Sequence, residues 1–211
     1  MSIEHWLAFS AAAAILVAIP GPTILLVISY ALAHGRRTAG ATVAGVALGD
    51  FTAMTASMLG LGALLAASAE IFTVLKWVGA VYLIYLGIKL WRAPVMGAVT
   101  EAADAEAARE RPGRVFAHTY LVTALNPKSI VFFVAFLPQF LDLSRPVATQ
   151  MVIFEATFLV IATINAALYA LLAAMARRTI RQPRVQRIVN RTGGTMMIGA
   201  GLLALGWKRA V

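Results

Sequence analysis

Residues 11–33 read AAAAILVAIPGPTILLVISYALA, an apolar run without one charged residue, interrupted at Ile19-Pro20-Gly21-Pro22. With its approach from His5, the run covers 5–33, longer than the roughly 20 apolar residues that cross a bilayer. Pro20 and Pro22 have no N–H to donate, and Gly21 permits unusual dihedrals, so a continuous helix is broken here. Hydrocarbon offers no water to satisfy the backbone groups so freed. Such a break is tolerated where it lines a cavity or is covered by protein. A simple kink is the plainer reading. A second break, Asn126-Pro127-Lys128, at the matching place in the other half of the chain favours a substrate-facing one.

The rest of the chain has the same character. Of 211 residues, 61% are hydrophobic and 13% charged, too little polar surface for a water-soluble fold. Six apolar segments are expected, at roughly 5–33, 40–68, 72–91, 115–140, 147–176 and 188–207. The fold class is an all-α integral membrane protein with six transmembrane helices. Long continuous runs exclude the period-two alternation of a β-barrel. The stretch 92–114 is the longest polar connection and reads as a solvated linker. A first unit at 1–92, a cytoplasmic linker at 93–114 and a second unit at 115–211 follow.

The formal net charge of +9 sits beside the apolar runs, which speaks for membrane topology and against nucleic acid. The first, third and fifth connections hold eleven arginines: Arg36 and Arg37; Arg92, Arg109, Arg111 and Arg114; Arg177, Arg178, Arg181, Arg184 and Arg187. The second and fourth hold only Arg145. Positive loops stay cytoplasmic, so both termini are expected outside, with Lys208 and Arg209 running against that assignment. No basic region precedes the first run, so a cleaved signal peptide is not expected.

The two halves resemble each other. Lys76-Trp77-Val78-Gly79-Ala80, then Gly87, aligns with Asn190-Arg191-Thr192-Gly193-Gly194, then Gly201. Three helices per unit would make the second enter from the opposite side. The expected architecture is therefore two inverted three-helix repeats with broken first helices, a common plan of secondary transporters.

Few residues are equipped for chemistry. Asp50 lies well inside the second segment, where a carboxylate costs about 2.5–3.5 kcal/mol and marks a polar interior or an ion path. It suits a substrate ammonium or a transferred proton; a structural hydrogen-bond partner is the plainer role. It also lies beside a small-residue stripe, Ala41, Gly45, Gly49, Ala53 and Ser57, suited to close helix packing within one chain or between two, so a homodimer stays open. Lys128 is placed to meet a substrate carboxylate or to pair with Asp50 or Glu155. Asn126 offers both donor and acceptor beside Pro127. Glu155 reads as a carboxylate that reaches solvent, and Asn165 shares its face only if helical phase persists. Lys76 and Lys89 snorkel from helix ends. His5, His34 and His118 are too dispersed for a zinc site. With no cysteine, thiolate sites and disulfides are absent, and no cofactor is called for.

These residues together resemble the LysE/RhtB family of amino-acid exporters. The carriers are Pro20-Gly21-Pro22, Gly45-x-x-x-Gly49-Asp50, Lys76-x-x-Gly79-Ala80-x-Tyr82-Leu83-x-Tyr85-Leu86-Gly87, Asn126-Pro127-Lys128 with Phe132-Phe133, and Phe136-x-Pro138-Gln139-Phe140. One departure is Ile19, where the family commonly has the first glycine of Gly-Pro-Gly-Pro. The resemblance implies export of amino acids or close analogues across the inner (plasma) membrane by proton antiport. Asp50 would hold the amino group or a proton. Asn126 and Lys128 would address the carboxylate, and the broken backbone at Pro20, Gly21, Pro22 and Pro127 would frame the site. The partners expected are the small-molecule substrate, protons and lipid. A metal-cation exporter of a related family is the nearest alternative, opposed by the lack of clustered ligands. A lipid-modifying intramembrane enzyme lacks a nucleophile–base pair. A non-transporting scaffold leaves Asp50 and the paired breaks unexplained.

Overall fold

Helix α1 (Ile3–Ala18) starts at Ser2, whose hydroxyl accepts the His5 N–H, and ends at Ile19, held extended by the proline after it. A new helix, α2 (Pro22–His34), restarts at once with Gly21 as N-cap and Pro22 in the first position, where a missing N–H costs nothing. The apolar run from His5 is thus two helices with a non-helical joint. In the computed structural model, residues 1–67, 69–92, 111–175 and 183–206 are described. Most of the linker, including Arg109, lies outside them, as do Ser68, Arg177, Arg178, Arg181, Lys208, Arg209 and the side chain of Lys76.

Gly35, with φ of 61°, turns the chain out of α2 into a short 3-10 segment (Gly35–Thr38) and then α3 (Ala39–Ala67). Helix α4 (Ala69–Trp91) follows. The second half repeats the break: α5 (Pro112–Ala124) stops at Leu125, and α6 (Pro127–Val131) restarts with Asn126 as N-cap, its side chain accepting the Lys128 N–H. A π turn (Phe132–Phe136) and a 3-10 turn (Leu137–Phe140) carry the chain on to α7 (Val147–Met175). Gln150 secures that corner, its amide bonded to both the N–H and the C=O of Asp142. The last described helix is α8 (Pro183–Gly206).

The described residues are all helix and connection, and three helical runs are long and apolar enough to cross a membrane: Pro22–Gly60, Pro112–Phe140 and Val147–Met175. The outward faces are apolar too. Leu59 is 73% exposed, and Val74, Val152, Val160 and Leu172 are each more than half exposed. In water such a surface would aggregate; it suits hydrocarbon. This is a multi-pass membrane protein.

An aromatic core knits the halves together. Phe9 of α1 packs on Phe132, Phe140 and Phe154, and Phe133 meets Phe158 edge-on at 4.8 Å. Helices α1 and α7 run parallel: Trp6 donates to Thr157 and, further along both, Asn165 donates to the Val17 carbonyl. Helices α3 and α5 also run parallel. Gly45 faces Phe116 and Thr119, and Gly49 faces Tyr120 and Thr123. The small-residue stripe is therefore used within one chain, at these two glycines, to bring α5 close.

Helices α4 and α8 cross antiparallel through a reciprocal contact. A Cβ on Gly87 would lie 2.7 Å from the Gly194 carbonyl oxygen, and one on Gly201 would lie 2.8 Å from the Ala80 carbonyl oxygen. The sequence alignment of the halves pairs Ala80 with Gly194 and Gly87 with Gly201. Each contact therefore joins the positions that the alignment matches to the partners of the other.

Candidate functional site

The joint between α1 and α2 is where the backbone has most to satisfy. In an unbroken helix the carbonyls of Leu16 and Ala18 would accept from residues 20 and 22, both of them prolines. Each carbonyl from Ile15 to Ile19 nevertheless has a donor. Ile15 and Leu16 share the Ile19 N–H, each at 3.3 Å. The Lys128 ammonium donates to Leu16 at 3.0 Å and to Ile19 at 2.7 Å. Asn165 donates to Val17 at 2.9 Å, and the Tyr169 hydroxyl to Ala18 at 2.8 Å. The end of α1 is finished by side chains of the other half.

The second joint is tied to the first. Asn126 caps α6 through its oxygen and spends its amide N–H on the Thr23 hydroxyl at 3.0 Å, in the first turn of α2. Pro127 lets α6 begin without an N–H that would otherwise need a partner. The capping places Lys128 in the first turn of α6, where its side chain reaches back across Gly21. A Cβ on Gly21 would lie 3.2 Å from the lysine Cε and Nζ, so the absence of a side chain there gives the ammonium its passage.

Between the joints lies a cavity of about 20 Å³. Its polar lining is Thr23, Asp50, Asn126, Lys128, Ser129 and Asn165; Val17, Val46, Phe158 and Ala162 are among its apolar walls. That volume suits a single water molecule. Asp50 is 5% exposed and faces this space. Among the described residues no hydrogen bond reaches its carboxylate. Lys128, also 5% exposed, shares the cavity with it.

Of the sequence candidates, the structure brings together Asp50, Asn126 and Lys128 around the joint formed by Pro20, Gly21, Pro22 and Pro127. Among the described residues no direct contact pairs Lys128 with Asp50 or Glu155, though Asp50 and Lys128 stay within electrostatic reach of one another. The lysine donates instead to two carbonyls the prolines leave short of donors: that of Ile19, and that of Leu16, which otherwise has only a 3.3 Å share of the Ile19 N–H. Glu155 is partly buried and accepts the Thr55 hydroxyl of α3. Sequence reasoning gave Asn165 little weight and passed over Thr23 and Tyr169. Asn165 and Tyr169 are one helical turn apart on an otherwise apolar helix, a spacing that puts both on one face. Removing either donor leaves a carbonyl unserved. Asn165→Ala is expected to cost about 1–2 kcal/mol, and Tyr169→Phe, at a more exposed contact, less. Thermal unfolding in detergent measures both.

His34 and His118 meet around Tyr30, away from the cavity lining, with the Tyr30 hydroxyl 2.8 Å from His118 Nδ1. Among the described residues no three His, Asp or Glu side chains converge on a point where a metal ion would sit.

A buried carboxylate thus faces a cavity between two broken helices, inside a membrane protein whose described residues are all helix and connection. The chain belongs to the LysE type translocator family, whose sequence profile matches residues 14–206, and is a transporter and not an enzyme. It is 33% identical over 210 residues, the full length of both chains, to the homoserine/homoserine lactone efflux protein of Salmonella typhi. The protein of the same description from Salmonella typhimurium matches equally well. An uncharacterized membrane protein of Vibrio cholerae is 36% identical over 205 residues, covering 96% of this chain and 97% of its own. No solved structure matches the chain.

Proposed function

We propose that this protein exports small amino acids and close analogues, of which homoserine and its lactone are the first to test, across the plasma membrane by proton antiport. The observation that carries the reading is Asp50: a carboxylate that no hydrogen bond reaches among the described residues, buried in a cavity that residues of both helix breaks line. A charge so placed in a membrane protein serves a cation that comes and goes. The relatives named for homoserine efflux supply the substrate class. Asp50 takes the ammonium or the proton, while Asn126 and Ser129 offer polar groups to the rest of the molecule.

The architecture that goes with this is six membrane spans in two inverted units, 1–92 and 115–211, with a cytoplasmic linker and both termini outside. The reciprocal α4–α8 contact supports it. So does the exchange of partners between the halves, in which α3 lies along the broken helix of the second half and α7 along that of the first. Antiparallel α4 and α8 require the operation relating the units to lie in the membrane plane, as inversion demands. Rocking of one unit against the other would open the cavity to each side in turn.

The test is efflux from proteoliposomes loaded with a mixed amino-acid pool, read by mass spectrometry with and without an inward proton gradient. Selective loss of homoserine and its lactone, accelerated by the gradient, is expected. Gradient-independent efflux would remove the antiport part. No selective loss from folded, inserted protein would remove the substrate assignment.

A further inference from the structure

Among the described residues the Lys128 ammonium makes no direct contact with a carboxylate, although Asp50 is within electrostatic reach. Two of its three N–H donors are committed to the carbonyls of Leu16 and Ile19. Those oxygens sit at the C-terminal end of α1, where the helix dipole favours a cation. Gly21 closes over the same ammonium from the α2 side. Asp50, in the same cavity, is a second cation receptor, and it makes no hydrogen bond among the described residues. The site thus has two receptors for positive charge and one resident cation, tethered to the opposite half of the chain.

We propose that the Leu16 and Ile19 carbonyls, with Asp50, form the receptor for the primary ammonium group of the substrate, and that Lys128 is its built-in stand-in, capping the carbonyls whenever the site is empty. The proposal rests on the exporter reading above. Its logic is the accounting of hydrogen bonds at the joint. Pro20 has removed the helical donor to Leu16, leaving it only a 3.3 Å share of the Ile19 N–H, and the break has carried the Thr23 N–H out of helical register with Ile19. A loaded site serves both oxygens with the substrate ammonium. An empty site must serve them otherwise, or cross between its two exposures with the Ile19 carbonyl bare and that of Leu16 left with only a shared, long contact in a medium without water, whether or not Asp50 carries the returning proton. Lys128 is the group positioned to do so. Its withdrawal on substrate arrival and its return on release couple occupancy to the geometry of the α1–α2 joint.

Two kinds of transport separate this role from a merely structural one. Exchange of homoserine for homoserine keeps the site loaded in both directions, so it does not require the stand-in; net efflux includes the empty return and does. In proteoliposomes, Lys128→Met is expected to lower net homoserine efflux at least roughly tenfold while leaving exchange within about twofold of wild type. N-Acetylhomoserine, which has no ammonium, is expected to be neither carried nor competitive. Because the chain contains no cysteine, Lys128→Cys can be alkylated at this one position with 2-bromoethylamine, rebuilding a lysine-length ammonium. Net efflux should then recover, and the same sample before and after alkylation serves if Lys128→Met does not fold. Equal loss of exchange and net efflux in folded protein, loss of neither, failure of alkylation to restore net efflux, or transport of N-acetylhomoserine at the homoserine rate would each overturn the proposal. Wild-type liposomes that carry no amino compound at all would instead remove the exporter reading, and the stand-in with it.

Discussion

Asp50→Asn is expected to slow gradient-driven efflux on the order of a hundredfold, the scale of removing one partner from a buried charge contact. The substitution keeps the shape of the side chain, so the Gly49–Asp50 turn of α3 still packs against α5 and the protein should melt near the wild-type temperature. Initial efflux rates in proteoliposomes give the first number and thermal unfolding the second. The variant also divides the two roles open to the carboxylate. If Asp50 serves only as the proton carrier, homoserine exchange survives in Asp50→Asn while the response to the gradient disappears. If it holds the substrate ammonium, exchange falls along with net efflux. Unchanged pH-driven efflux in folded protein would take Asp50 out of the mechanism altogether.

The largest structural effect is expected at the crossing of α4 and α8. A side chain at Gly87 or Gly201 has nowhere to go: the first Cβ atom alone would come within 2.7 Å of the Gly194 carbonyl oxygen, or within 2.6 Å of Ile84. Gly87→Leu is therefore expected to cost about 3 kcal/mol by forcing the helices apart. Gly201→Leu should cost nearly the same, because the proposed two-fold operation carries one position onto the other. Unfolding of the reconstituted protein in a graded denaturing detergent compares them. A large loss at one and none at the other would mean that the reciprocal contact is not the axis of the molecule.

What could be read in advance divides along physical lines. The two joints were legible because proline acts through its own backbone: a missing N–H at Pro20, Pro22 or Pro127 breaks a helix whatever surrounds it. Asp50 stood out because a charge inside an apolar run is costly wherever the run ends up. The glycines of the α4–α8 crossing were visible as a match between the halves, but that they would meet was not, since helix contact depends on tertiary packing. The destination of Lys128 was not legible. An ammonium beside a proline is compatible with a carboxylate partner, a substrate or a carbonyl. The choice depends on the end of α1 arriving beside the start of α6, more than 100 positions earlier in the chain. Asn165 and Tyr169 escaped for the same reason, since the carbonyls they serve belong to a helix end that only tertiary packing brings to them. Thr119 and Thr123, which fill the space opposite Gly45 and Gly49, carry no signal in sequence beyond being small enough.

The π turn at Phe132–Phe136 has a thermodynamic meaning under the two-unit reading. A carrier made of two identical inverted units would have inward- and outward-open forms of equal free energy, each the other turned over, and would spend its time evenly between them. Among the described residues, a wide turn of this kind follows the break in the second half alone, while the first half continues as regular α-helix from Pro22 to His34. The stacked rings of Phe132 and Phe136 and the buried Phe133 therefore load one of the two forms differently from the other. The resting bias of the carrier is then written into an irregularity of five residues, one turn beyond the cavity and packed on its Phe158 wall.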